Sequence, residues 1–171
     1  MTHDDRRRRE IDPAPYLHLL EERFGIPLEA FADFAFFRPN RNTVWIRRRE
    51  LDWSGGAPAL HAVGFPFFHP TLRFPRPTNA AVLRFGHLAR RSVLDLNRMQ
   101  LAAFVRREER PLDADPPLPA GDHGYVIARS DGDIVGLGIV RPAGDGRPTP
   151  TLEGLVPSSW IDDGGLAIAH D

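Results

Sequence analysis

The chain has 171 residues, 42% of them apolar and 26% charged, which suits a folded globular protein and excludes disordered and collagen-like classes. Cysteine is absent, so disulfides, thiolate metal sites and every cysteine-nucleophile mechanism are excluded. The net charge of -1 hides an asymmetry: residues 1–110 hold 19 arginines against 13 acids, residues 111–171 hold 3 against 10, and lysine is absent throughout.

At this length folding buries roughly 70% of the extended chain's surface, enough for a core without staples. No run of 18 apolar residues occurs, and no apolar stretch follows the arginines near the start. Neither a membrane span nor a signal peptide is expected, and the cytoplasm is the expected location.

Residues 1–12 read as a charged, mobile leader. Asp12 and Pro13 then open a helix with Leu17, Leu20 and Phe24 on one face, stopped by Gly25 and Pro27. A second short helix covers Leu28 to Phe34. Two strands, Phe36 to Arg38 and Thr43 to Arg47, flank the turn Pro39-Asn40-Arg41-Asn42. Residues 54–56 form a loop, and Ala59 to Gly64 a further strand. The segment FPFFHPTLRFPRP (65–77) is too proline-rich for a central strand and reads as extended chain packed by its phenylalanines.

From Pro77 a helix starts again, with Val82 and Phe85 on its apolar side and Gly86 as a weak point. Ser92 to Leu96 reads as a strand. Asn97, with Gln100 three residues later, caps a helix that buries Leu101, Phe104 and Val105 and ends on Arg106-Arg107, charges that suit the dipole. Residues 111–122 form a loop. The clearest local signal is a hairpin, Gly124–Arg129 with Asp133–Arg141, around an Asp-Gly turn. Pro142 to Pro150 is a second loop, and Thr151 to Trp160 supplies a last strand or turn.

Gly136-Leu137-Gly138 sits inside a strand with no helix after it, so it marks a close backbone approach or a bulge rather than a dinucleotide site. No histidine pair has the spacing of an H-E-x-x-H site, and His61 and His69 are isolated among aromatics and prolines. No serine lies in a nucleophile-elbow pattern. The pairs Glu108-Glu109 and Asp162-Asp163 read as solvated surface. No catalytic residue, metal or cofactor is expected.

The arginines remain. Arg73 with Arg76, Arg84 with Arg90-Arg91, and Arg106-Arg107 cluster near aromatics and His87. Guanidinium pairs bidentately with phosphate and stacks on bases, so such stretches suit RNA.

Three stretches resemble a known family. YLHLLEERFGIPLEAFADFAFFRPNRNTVWI (16–46) is similar to the pre-PUA module that precedes a PUA domain in small ribosome-biogenesis proteins. RPTNAAVLRFGHLARRSVLDLNRMQLAAFVRREE (76–109) resembles the passage where that module hands over to the PUA domain. HGYVIARSDGDIVGLGIV with LEGLVPSSW (123–140 and 152–160) resembles the C-terminal, PUA-like RNA-binding domain of the Sun-type cytosine-5 RNA methyltransferases. Those enzymes also carry an S-adenosylmethionine-binding Rossmann domain and catalytic cysteines, and both are missing here. The resemblance therefore implies RNA recognition without the activity.

The expectation is an α+β protein: a leader (1–12), a small α/β pre-PUA-like module (13–86), and, packed with it, a PUA-like mixed β-pseudobarrel (87–171) with the 97–107 helix across one opening. Its expected function is non-catalytic binding of structured RNA, ribosomal or transfer, as a monomer in RNA modification or ribosome biogenesis. Arg84, His87, Arg90 and Arg91 are the first candidates for phosphate contact, and Arg73, Arg76, Arg106 and Arg107 the next. Arg90 and Arg91 have a plainer alternative, bridging to Glu108 or Glu109. A rival reading makes the chain an accessory subunit docking on a methyltransferase or ribosome-assembly factor, which calls for an exposed apolar patch around Phe65–Phe74. A small hydrolase would need an enclosed pocket with convergent histidine and carboxylate groups.

Overall fold

A computed structural model describes residues 10–50, 64–113, 116, 118, 124–144 and 146–159. It is an α+β structure, and the chain divides into two units, Met1–Arg90 and Arg91–Asp171. The arginines at 6–9, the loop at 54–56, the strand expected up to residue 63, much of the 111–122 loop and the residues from 160 onward lie outside the described part.

In the first unit, Asp12 Oδ1 accepts the Ala14 N–H at 3.0 Å and opens helix α1 (Ala14–Phe24), with Pro13 already in helical backbone. The helix buries Leu20 and Phe24 and ends at Gly25, whose left-handed φ of 66° lets its N–H reach Glu21 O. Residues 10–12, expected to be the end of a mobile leader, are tied down instead. Ile11 N–H donates to Phe36 O at 2.9 Å, and Glu10 bridges to Phe37.

After a 3-10 turn (Leu28–Phe31), β1 (Phe34–Asn40) and β2 (Thr43–Arg48) form an antiparallel pair, longer than the sequence suggests but around the same turn. β3 (Phe65–His69) lies between β2 and β4 (Arg76–Pro77), in the order β1-β2-β3-β4. Here the sequence reading needs correction, because a segment with proline at its second position occupies an inner place. The register explains it. Pairing steps from Trp45–Pro66 to Val44–Phe68, so β3 holds an extra residue at that point. A bulge tolerates a missing N–H, and it leaves both Phe67 and Phe68 fully buried.

Those rings join an aromatic core in which Phe31 lies 4.8 Å from Phe85 and Phe36 5.2 Å from Phe67. Thr78 fastens the next helix to this sheet. Its hydroxyl donates to Pro66 O at 2.6 Å and accepts the Ala81 N–H as the cap of α2 (Asn79–Phe85). A 3-10 turn (Gly86–Leu88) follows, and Arg90 N–H closes the unit on Phe24 O at 2.8 Å. Residues 87–90, which the sequence gives to the second module, thus go with the first.

The second unit is a mixed sheet curled into a half barrel. Its order is β5 (Val93–Asp95), β7 (Tyr125–Ser130), β8 (Asp133–Arg141), β9 (Thr151–Gly154), β6 (Arg110–Pro111), with β5 parallel to β7 and the other pairs antiparallel. The Asp131-Gly132 turn has positive φ at both residues, the geometry that matches the twist of a hairpin. Asp95 and Arg129, register partners on β5 and β7, form a bidentate pair at 2.6 and 2.8 Å.

Helix α3 (Arg98–Val105) begins with a complete capping box between Asn97 and Gln100. It buries Ala103 and Phe104, while Leu101 and Val105 keep partial exposure. Phe104 joins Leu96, Val126, Ala128, Val140 and Leu152 in the core. The helix ends in a Schellman motif: Glu108 N–H reaches Ala103 O, Arg107 N–H reaches Phe104 O, and Arg107 stands at φ 61°. A left-handed arginine costs about 1–2 kcal/mol that glycine avoids. Arg107→Gly is therefore expected to raise stability by about 1 kcal/mol in urea denaturation while removing one charge from the candidate RNA set.

The carboxylates of Glu108 and Glu109 are engaged rather than simply solvated. Arg110 lies 3.0 Å and Arg106 3.9 Å from Glu108, and Glu109 accepts from Thr151 Oγ1 at 2.5 Å and from Arg147 Nε at 3.3 Å. The Thr151 hydroxyl first, then Arg141 and Arg147, hold the Glu109 carboxyl below its ordinary range. A depressed folded-state pKa stabilises above the unfolded value and loses its effect as pH falls through the folded one. Glu109→Gln is expected to lower the thermal midpoint near neutral pH and to match the wild type once both are fully acidified.

Candidate nucleic-acid interface

Five of the eight arginine and histidine candidates fall in the first unit and three in the second. Arg73 is exposed on the β3–β4 turn, with its guanidinium 5.2 Å over the Phe74 ring. Arg76 is partly buried on β4, opposite His69. Arg84 is exposed on the last turn of α2, 6.0 Å from the Phe85 centroid. His87 follows at i+3 and Arg90 three residues later, both exposed. Helical and 3-10 backbone place i and i+3 on one side, so Arg84 and His87 are neighbours along that segment.

In the second unit Arg91 is exposed just before β5, and Arg106 and Arg107 are exposed at the end of α3. Arg106 leans toward Glu108. The alternative partners considered for Arg90 and Arg91 already hold other groups: Glu108 takes Arg110, and Glu109 takes Thr151 and Arg147.

The structure sorts the arginines in a way that counting clusters does not. Arg49 pairs with Glu10, Arg48 with Asp33, Arg110 with Glu108, Arg129 with Asp95, Arg141 with Glu153 and Arg147 with Glu109. Among the described residues, Arg73, Arg84, Arg90 and Arg107 carry no salt bridge, and neither do Arg38, Arg41 and Arg98. Arg73, Arg84 and Arg90 share a sequence signal. No acidic residue lies between Asp52 and Asp95, a stretch that holds Arg73, Arg76, Arg84, Arg90, Arg91 and His61, His69, His87.

Of the phenylalanines in 65–74, where a docking surface would need an apolar patch, Phe65 and Phe74 are partly exposed. Phe67 and Phe68 are buried, and the exposed large apolar residue of that segment is Leu72. Leu83 and Met99 are exposed elsewhere, each singly beside an arginine. Among the described residues no three potential metal ligands converge, and no helix is long and apolar enough to cross a membrane. No family model matches the chain, and the search of curated proteins finds no relative.

Proposed function

We propose that this chain binds structured RNA, ribosomal or transfer, without catalysing a reaction, as a PUA-like recognition module acting in the cytoplasm in RNA modification or ribosome biogenesis. The observation that carries this reading is the acid-free stretch from residue 53 to 94, whose Arg73, Arg84 and Arg90 are exposed and carry no salt bridge among the described residues. Such groups release counterions when they meet phosphates, which makes affinity salt-dependent and initially blind to sequence. The mixed half-barrel sheet agrees with a PUA-like unit, and the absence of cysteine removes the nucleophile of the enzymes that the chain resembles.

The test is fluorescence anisotropy of the full chain with a transfer-RNA transcript and a ribosomal-RNA hairpin, at about 50 and 200 mM salt, with single-stranded DNA as control. Micromolar or tighter binding that favours folded RNA and weakens steeply with salt is the expected result. No binding at the lower salt would overturn the reading in favour of an accessory protein that docks on an enzyme or assembly factor.

A further inference from the structure

The first sheet brings two of its turns to one end. β1 and β2 run antiparallel, as do β2 and β3 and then β3 and β4, so the turn at 41–42 and the turn at 70–75 lie on the same side. Side chains knit the two together. The Asn42 carbonyl accepts from His69 Nδ1 at 3.4 Å, and Asn42 Oδ1 accepts from the Thr71 hydroxyl at 3.4 Å. Burial first, and then the Arg76 charge, hold the His69 pKa below its ordinary value against the Asn42 bond, so near pH 7 the ring is neutral. Within the first turn, Asn40 Oδ1 accepts the Asn42 N–H at 2.9 Å, and Arg38 Nη2 donates to the Arg41 carbonyl.

The joined turns present charge beside a flat surface. Arg41 and Arg73 are both exposed, and neither carries a salt bridge among the described residues. The Arg73 guanidinium lies 5.2 Å over the ring of Phe74, which is partly exposed, and Leu72 beside it is 42% exposed. A guanidinium attracted to a ring swings less freely than one in open solvent. Guanidinium planes and aromatic rings are the surfaces on which unpaired bases stack, whereas a duplex keeps its base faces inside. Arg41, adjoining Asn42 in the other turn, has the charge for a phosphate next to such a base.

We propose that the turns at 41–42 and 70–75 form a seat for one unpaired nucleotide of a folded RNA, its base stacking on Arg73 and Phe74 and its phosphate meeting Arg41. The seat rests on the RNA-binding reading, and it places a loop or bulge of that RNA, not a duplex, at this end of the sheet.

The experiment takes the full chain and two RNAs that share one stem, the first closed by an unpaired loop and the second a blunt duplex, and follows anisotropy at about 50 and 200 mM salt. The looped RNA is expected to bind about tenfold more tightly. Arg73→Lys keeps the charge and removes the plane, so it should abolish that preference and leave the salt slope as it was. Arg41→Gln should lower the slope on the looped RNA by about one. Both side chains are exposed, and an unchanged urea midpoint checks that each variant folds. Equal binding of the two RNAs, a preference retained in Arg73→Lys, or an unchanged slope in Arg41→Gln would overturn the seat and leave the RNA reading standing. Failure of both RNAs to bind at the lower salt would overturn that reading and the seat with it.

Discussion

Replacing Arg84, Arg90 and Arg91 together by glutamine is expected to weaken RNA binding and to lower the slope of log affinity against log salt by about two to three. Each arginine that meets a phosphate releases about one counterion, so the slope counts contacts where affinity alone does not. Glutamine keeps much of the side chain and its donors while removing the charge, and all three residues are exposed, so stability should stay within about 0.5 kcal/mol. The comparison that gives the result its meaning is Arg110→Gln. Arg110 is also exposed and basic, but its guanidinium sits 3.0 Å from Glu108, and its removal should leave the slope unchanged. An unchanged slope in the triple variant would take these residues out of the interface.

A large stability effect is expected on β9. Gly138 and Gly154 are register partners on β8 and β9, and α3 lies across them. A Cβ at Gly154 would stand 2.0 Å from the Phe104 carbonyl oxygen, a backbone atom. The helix would have to move, so Gly154→Ala should cost about 3 kcal/mol or more, read as a lowered urea midpoint. At Gly138 the same Cβ would meet Phe104 Cε2 at 2.8 Å and Leu152 Cδ1 at 3.0 Å, the far ends of side chains. That substitution should cost about 1–2 kcal/mol, and Phe104→Leu should recover part of it. Phe104→Leu should recover none of the Gly154→Ala loss, because the obstacle there is backbone. Equal losses at the two positions, or rescue of both, would contradict this packing.

What could be read from the sequence was local chemistry. The Asn97–Gln100 capping box and the Asp131-Gly132 hairpin each depend on residues within a few positions, and both stand where that chemistry puts them, while the Asp12-Pro13 helix start falls one residue later, with Pro13 at the cap and Ala14 first in the helix. What could not be read depends on register. Pro66 argues against an inner strand until a bulge opposite Val44 and Trp45 removes the need for its N–H. Residues 10–12 look like leader until Ile11 is seen donating to Phe36.

The candidate site divides in the same way. The arginine clusters are visible as letters, but which arginines are already paired is decided by partners far away in sequence, such as Glu10 for Arg49 and Asp95 for Arg129. His69 looks isolated in the sequence because Arg76 becomes its neighbour only across a ladder. The acid-free stretch between Asp52 and Asp95 can be read from the letters alone, and it holds Arg73, Arg84 and Arg90, exposed and without a salt bridge among the described residues.

On the proposed reading, arginines held by carboxylates stay out of the interface and those without a salt bridge meet the RNA. The direct measurement is the arginine Nε–Hε spectrum of the full chain, assigned and followed as a transfer-RNA transcript is added. The signals of Arg73, Arg84 and Arg90 should shift, and those of Arg49, Arg110 and Arg129 should stay in place. Shifts spread evenly over both groups, or confined to the paired one, would contradict the account.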